Sequence, residues 1–351
     1  KPHLDKVAQL YKDLRASDDP AKRQAIFAEL DAANQAISKL AVPNEMDRLY
    51  TTLGIEGINA FTSDDMTVYI GDLPTNRLEA WATLEAERFK DPSYRLFFTE
   101  LESVYEEKNL SLDSPDGRAS EAMMKQLFPT HPYGTQTTIG SIEHLKSPAY
   151  QDMIDYFHRW YAPNNMAVLL AGDIDAATAL PVLERTLGTW APRALEKPIA
   201  ATAKKITSRI ASEVVGEGEQ TVSIGWSTVP YTNPDEPVLP VMNWLLDNET
   251  SGLLNVDLEL SQKVPDAGAY AYSMLESGVF MVRATARDGQ PLEEVEKLLL
   301  GTVEKLKNGA FTQQDIDAIV LANSIGRKMQ QESNEGREIG RASCRERVCY
   351  V

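Results

Sequence analysis

Residues 57–74 read GINAFTSDDMTVYIGDLP. Ile58, Ala60 and Thr62 alternate up to a turn-like Ser63-Asp64-Asp65, and Thr67 and Tyr69 resume the alternation after it. A period of two on both sides of a turn predicts a β-hairpin. Helical patterns flank it. NEMDRLYTTLG (44–54) precedes it and closes on Gly54, and LEAWATLEAERFKD (78–91) follows it. The next segment, FFTELESVYEEKN (97–109), lacks Gly and Pro and spaces Phe97, Leu101 and Val104 as a helix does. Glu100 and Glu107 are seven residues apart, so two turns bring both carboxylates to one side of that helix, which also carries Val104. Acids beside an apolar stripe need a cation or a hydrogen-bond donor. The plainer alternative is a solvated acidic face.

Working outward, residues 3–41 predict two amphipathic helices, the second capped by Asp18 or Asp19 with Pro20 in its first turn. SPDGR (114–118) reads as a turn, SEAMMKQLF (120–128) as a helix, and FPTHPYG (128–134) with QTTIG (136–140) as an ordered loop. A capped helix, SPAYQDMIDYFHRWY (147–161), leads to a buried strand in NNMAVLLAGDID (164–175) and a helix in TALPVLERTLGTW (178–190). APRALEKPIAATAKK (191–205) has the Ala-Pro breaks and missing periodicity of a linker. Beyond it ITSRIASEVV (206–215) and TVSIGWSTVP (221–230) read as strands, and PVLPVMNWLLDN (237–248) and SGLLNVDLELSQ (251–262) as helices. A strand pair follows in 269–286, and LEEVEKLLLGTVEKLKNG (292–309) and FTQQDIDAIVLANSIGRKMQ (311–330) close the periodic part as helices. The expected class is α+β, with two related domains, each an antiparallel-rich sheet with helices on one face. The domains are expected at 1–195, with a helical insertion at about 3–41, and at 196–337.

The 351 residues suffice for two cores, and 43% of them are hydrophobic, as in a globular protein. No apolar run is long enough to predict a membrane span. A net charge of −17 argues against nucleic-acid backbones and anionic membranes as partners. From Glu338 the chain reads EIGRASCRERVCYV, which has no periodicity and resembles read-through into vector or adapter sequence, so 338–351 is read as a non-native tail. Both cysteines, Cys344 and Cys349, fall there, which leaves the rest without disulfides or thiolate metal sites.

Taken in order, GINAFTSDDMTVY, the LEA.R run at 84–88, the helix with Glu100 and Glu107, SPDGR, FPTHPYG.QTTIG and YAPNNMAVLLAGDID resemble the insulinase/pitrilysin family of zinc metallopeptidases, the inverzincins. The resemblance spans residues 40–335. It implies a Zn2+-dependent endopeptidase acting on peptides or unfolded segments enclosed between two halves of a clamshell. In that family two histidines of an H-x-x-E-H pentapeptide and one distant glutamate bind the metal. The distant ligand maps onto Glu107, and Glu100 onto the supporting acidic position. Asn59, Ala60 and Phe61 map onto the edge strand that pairs with an extended substrate. A three-ligand site of this kind leaves a position open for water.

The chain departs from the pattern in one respect. Its four histidines, His3, His131, His144 and His158, include no H-x-x-E-H. The resemblance would place that motif upstream of Lys1, making this chain a piece that is inactive alone. The rest of its own chain or a homologous subunit would then close the chamber. The alternative is a non-catalytic family member that scaffolds or binds peptides beside an active subunit. A two-lobed solute-binding protein is disfavoured because the repeated unit is not βαβ. His131 reads as a structural hydrogen-bonding residue, His158 as packed or partly exposed, and His144 as surface. Asn164-Asn165 reads as a turn former. The resemblance points to a periplasmic or cell-envelope setting.

Overall fold

A computed structural model describes residues 2–146, 150–195, 206–334, 336–337 and 348–350. They fall into two compact units. One comprises Lys1–Ser111, Thr138–Ile199 and Asn334–Val351, and the other Leu112–Thr137 and Ala200–Ser333. The stretch 112–137, which the sequence groups with the N-terminal half, thus packs with the second unit. Much of the expected linker, 196–205, lies outside the described residues.

The first unit opens with α1 (Pro2–Arg15) and α2 (Pro20–Ser38). Asp19 caps α2 by accepting from the Ala21 N–H, with Pro20 at the first helical position. Val7, Leu10, Leu14, Ile26, Leu30, Ala33 and Ile37 bury one face of this pair against Phe98. Next come α3 (Glu45–Leu53), the hairpin of β1 (Glu56–Thr62) and β2 (Thr67–Asp72), and α4 (Leu78–Lys90). Gly54 closes α3 at φ +73°, a conformation that costs glycine nothing. α4 buries Leu78, Trp81, Ala82, Ala86 and Phe89, in a core shared with Tyr50, Ile55, Ala179, Val182 and Trp190.

The acidic helix is α5 (Phe97–Asp113). α6 (Pro115–Leu127), α7 (Pro132–Thr135), α8 (Ile142–Lys146), α9 (Tyr150–Trp160), β3 (Met166–Val168) and α10 (Ala176–Arg185) follow. SPDGR is therefore the start of a helix and not a turn. Ser114 caps it by accepting from the Gly117 N–H, and Pro115 fits the first position, so the same residues that signal a turn here signal an N-terminus. β3 is only three residues long, and its Val168 is exposed, unlike the buried strand expected at 164–175.

The second unit holds β4 (Thr221–Thr228), α11 (Val238–Leu246), β5 (Ala267–Ser273), β6 (Gly278–Thr285), α12 (Leu292–Lys307) and α13 (Gln313–Gln330). Its sheet is antiparallel, in the order β4-β6-β5. Leu246, Leu254, Leu258, Val282, Ala284, Val295 and Leu299 form its core. The strand expected at 206–215 does not form; Val215 instead offers its carbonyl to Arg118 Nη2 at 3.2 Å. The helix expected at 251–262 shrinks to a π-helical turn, Asn255–Leu260. There the buried Asn255 amide bridges Asp247 Oδ1 at 3.1 Å and Glu259 Oε2 at 2.9 Å. A side chain drawn into such a network competes with a regular helix.

The sheet of the first unit has the order β1-β2-β7-β3, where β7 is Val348–Tyr350. The segment that the sequence sets aside as a tail thus supplies a strand that runs parallel to β2 and β3. α-Helices and small, mainly antiparallel sheets make the chain an α+β protein, as its sequence predicts.

Candidate functional site

β1 is an edge strand, and every residue from Glu56 to Thr62 is exposed. The alternation of Ile58, Ala60 and Thr62 therefore does not mark a buried face, since Ile58 keeps 36% of its surface exposed. β1 pairs with β2 antiparallel: Thr62 faces Thr67, Phe61 Val68, Ala60 Tyr69 and Asn59 Ile70. At the turn the Ser63 N–H donates to the Met66 carbonyl at 2.9 Å. Antiparallel pairs alternate between bonded and non-bonded, so Phe61 and Asn59 bond inward to β2. The backbone groups of Ala60 and Thr62 face the open edge. The Thr62 and Thr67 hydroxyls lie 3.5 Å apart, as fits the closer spacing of a non-bonded pair. The Ala60 N–H donates to its neighbour's Asn59 Oδ1 at 2.8 Å. Asn59, Ala60 and Phe61 thus lie together on an edge strand, and of the three Ala60 turns its backbone groups outward.

Glu100 and Glu107 are both exposed on α5, so the expected apolar setting for them is not found. α5 turns Phe98 and Lys108 inward instead, stacking Phe98 on Tyr11 with ring centroids 4.9 Å apart. Phe97, Leu101 and Val104 stay half-buried, so the stripe is too incompletely covered to desolvate its neighbours. A groove of about 480 Å3, lined by Asp31, Asn34, Gln35, Lys39, Thr99 and Glu102 among others, lies along α2 and α5, and neither Glu100 nor Glu107 lines it. Among the described residues no three or more His, Cys, Asp and Glu side chains come together as a metal site. The residues present therefore do not make a zinc site on their own, and Glu107 contributes at most one ligand.

The histidines are elsewhere. His131 is 2% exposed; its Nε2 lies 2.8 Å from Glu276 Oε2, and its Nδ1 accepts from the Tyr133 N–H at 3.2 Å. The Tyr133 hydroxyl accepts from the Glu276 N–H at 3.1 Å. Accepting at Nδ1 fixes the tautomer with the proton on Nε2, which then donates to Glu276. This closed ring fastens the loop at 128–135 to the β5–β6 turn, the structural role expected of His131. His144 and His158 are exposed, the latter 3.3 Å from Arg193 Nη1. Asn164 exchanges hydrogen bonds with the Arg193 backbone at 2.9 and 3.1 Å, the turn-fixing role expected of it.

Glu85 gives no such signal in the sequence. It is 1% exposed, accepts from the Tyr50 hydroxyl at 2.5 Å and lies 2.9 Å from Arg88 Nη2. The Arg88 guanidinium stacks over the Tyr69 and Phe89 rings at 4.8 and 4.6 Å. Tyr69 bonds the Tyr161 hydroxyl at 2.9 Å, and burial first, then Tyr161, pushes its phenol well above the ordinary tyrosine range. A repeat of acid and base three residues apart on α4 was the available signal, but such spacing is common on exposed helices.

Residues 149–323 match the family model described as the peptidase M16 inactive domain. The chain is 24% identical over 333 residues to the zinc protease PqqE of Helicobacter pylori, covering 92% of this chain and 73% of that one. It is 24% identical over 321 residues to the probable zinc protease PqqL of Haemophilus influenzae, covering 85% of this chain but 34% of that one. In structure it matches a protease from Helicobacter pylori with a TM-score of 0.73 at 20% identity, over 83% of this chain and 72% of that one. It matches the periplasmic protease PqqL from Escherichia coli with a TM-score of 0.65 at 17% identity, over 86% and 35%. The chain spans about a third of the PqqL-type relatives and about three quarters of the PqqE-type one. The motif order, the α+β fold and these likenesses agree: the chain belongs to the insulinase/pitrilysin-type peptidase family, M16.

Proposed function

We propose that this chain is the peptide-holding part of a zinc-dependent M16-type endopeptidase, with β1 as the edge on which an extended peptide or unfolded segment lies. One observation carries the reading: an edge strand, exposed along its whole length, turns the backbone groups of Ala60 and Thr62 outward at the position the family resemblance assigns to substrate. Strand addition takes affinity from main-chain hydrogen bonds and is tolerant of sequence, which suits a protease of unfolded segments. Glu107 is proposed as a metal ligand completed by groups outside the described residues, and Glu100 as its supporting acid. No hydrolytic step is assigned to this chain's own residues. A periplasmic setting is proposed from the PqqL-type relatives. Among the described residues no helix is long and apolar enough to cross a membrane.

A second reading, a non-catalytic member that binds peptides beside an active subunit, is favoured by the match to the inactive-domain model and by the absence of H-x-x-E-H. Both readings require peptide binding at β1. Backbone amide exchange with and without an unfolded peptide tests this: protection at 59–62 supports it, and unchanged exchange there with peptide bound elsewhere contradicts it.

A further inference from the structure

Among the described residues two hairpins, β1–β2 and β5–β6, leave an edge strand, and the two edges are finished differently. In the β5–β6 hairpin the Thr285 N–H donates to the Asp266 carbonyl at 2.9 Å, and the Met274 N–H to the Ser277 carbonyl at 2.8 Å. With the register Ala267 to Ala284 and Ala269 to Val282, that alternation turns the backbone groups of Ala267 and Ala269 toward the free edge of β5. Both N–H groups are already engaged. Ala267 donates to Glu259 Oε1 at 2.9 Å and Ala269 to Asp247 Oδ2 at 3.2 Å. The two carboxylates are themselves joined through the buried Asn255 amide. Charge-assisted bonds to a cross-linked pair of acids make a permanent cover, and an incoming strand has no reason to displace it.

β1 has only a light cover. Its outward Ala60 N–H is held by the neutral carboxamide of the preceding residue, Asn59, at 2.8 Å. Both residues are exposed, so the bond is made in water and can be released by rotating one side chain. We propose that the Asn59 carboxamide is a displaceable cap on the docking edge: it satisfies the Ala60 N–H while the edge is empty and swings away when a peptide carbonyl takes its place. This deepens the reading of β1 as the peptide edge and rests on it. The cap makes pairing with a passing strand, such as a second copy of this chain, several-fold less favourable, because each docking event must first break the Asn59 bond.

The test uses the full chain and a short, neutral, acetylated and amidated peptide of alternating Val and Thr carrying a fluorescent tag. Binding is read by anisotropy, and exchange of the Ala60 amide is read separately without peptide. Asn59→Ala is expected to speed Ala60 exchange and to tighten the probe by about fivefold, the scale of one net hydrogen bond no longer competing. Asn59→Asp, with a charged acceptor, is expected to slow exchange and weaken binding. Weaker binding by Asn59→Ala would overturn the cap and make Asn59 a direct peptide contact. Unchanged exchange and affinity would overturn it also. If no variant binds the probe while exchange responds as expected, the docking edge itself fails, and the cap only protects the strand.

Discussion

Glu107 is the residue to which the family resemblance gives a metal ligand's role, yet it is exposed on α5. An exposed carboxylate without a structural partner contributes little to folding. Glu107→Gln should therefore leave the chain's stability within about 0.5 kcal/mol of the parent, as read by urea unfolding. A large loss would show that Glu107 is structural. Arg88 has the opposite weight. Arg88→Ala removes the guanidinium that lies 2.9 Å from the buried Glu85, which also accepts from the Tyr50 hydroxyl, and removing one side of a buried pair costs about 3–5 kcal/mol. Because Arg88 keeps a quarter of its side chain in contact with water, the lower end is expected, read as an earlier unfolding of the first unit. His131→Ala should cost about 1–3 kcal/mol through the lost Glu276 and Tyr133 bonds, with the loss confined to the second unit. At this scale the sequence was partly legible. Asn59, Ala60, Phe61, Glu100 and Glu107 could be proposed as candidates from the family resemblance. The setting of the two acids could not, because helical spacing fixes which side a residue takes and not whether anything covers that side.

Among the elements, the hairpin at β1–β2, the helices α2, α3 and α12 and the Gly54 stop follow directly from periodicity and caps. The misread stretches have common physical reasons. Ser114-Pro115 begins a helix with the residues that also begin turns, and the expected strand at 206–215 has β-branched residues but pairs with no strand among the described residues. The helix expected at 251–262 yields to a polar network whose partners, Asp247 and Ala267, lie outside its own span. α13 shows what a legible terminus is worth. Thr312 accepts from the Asp315 N–H at 3.2 Å while Asp315 Oδ2 accepts from the Thr312 N–H at 2.7 Å and its hydroxyl at 2.8 Å, a complete capping box. Those bonds, the backbone one first, hold the Asp315 carboxyl below the ordinary range. A carboxyl depressed in the fold lends stability above its unfolded value and loses it as pH falls through the folded one. Acidification below about pH 4 should therefore fray the start of α13, seen as faster amide exchange there. Asp315→Asn should abolish that pH dependence, and a variant that keeps it would show that another group is responsible. Thr312→Ala should destabilise the helix by about 1 kcal/mol.

For the whole molecule, the sequence gives the α+β class and the family, and the fold agrees with both. The grouping of 112–137 with the second unit was hidden, since α6 packs against β4 through residues far apart in the chain, with Met123 and Leu127 lying beside Gly225. The zinc question also belongs at this scale, because a metal site needs ligands gathered from several elements, and the described residues gather none. The most direct measurement is zinc content after equilibrium dialysis of the full chain, taken with hydrolysis of an unfolded peptide with and without chelator. The account predicts no stoichiometric zinc and no chelator-sensitive cleavage, with the peptide bound intact. One zinc per chain together with cleavage that a chelator stops would contradict it.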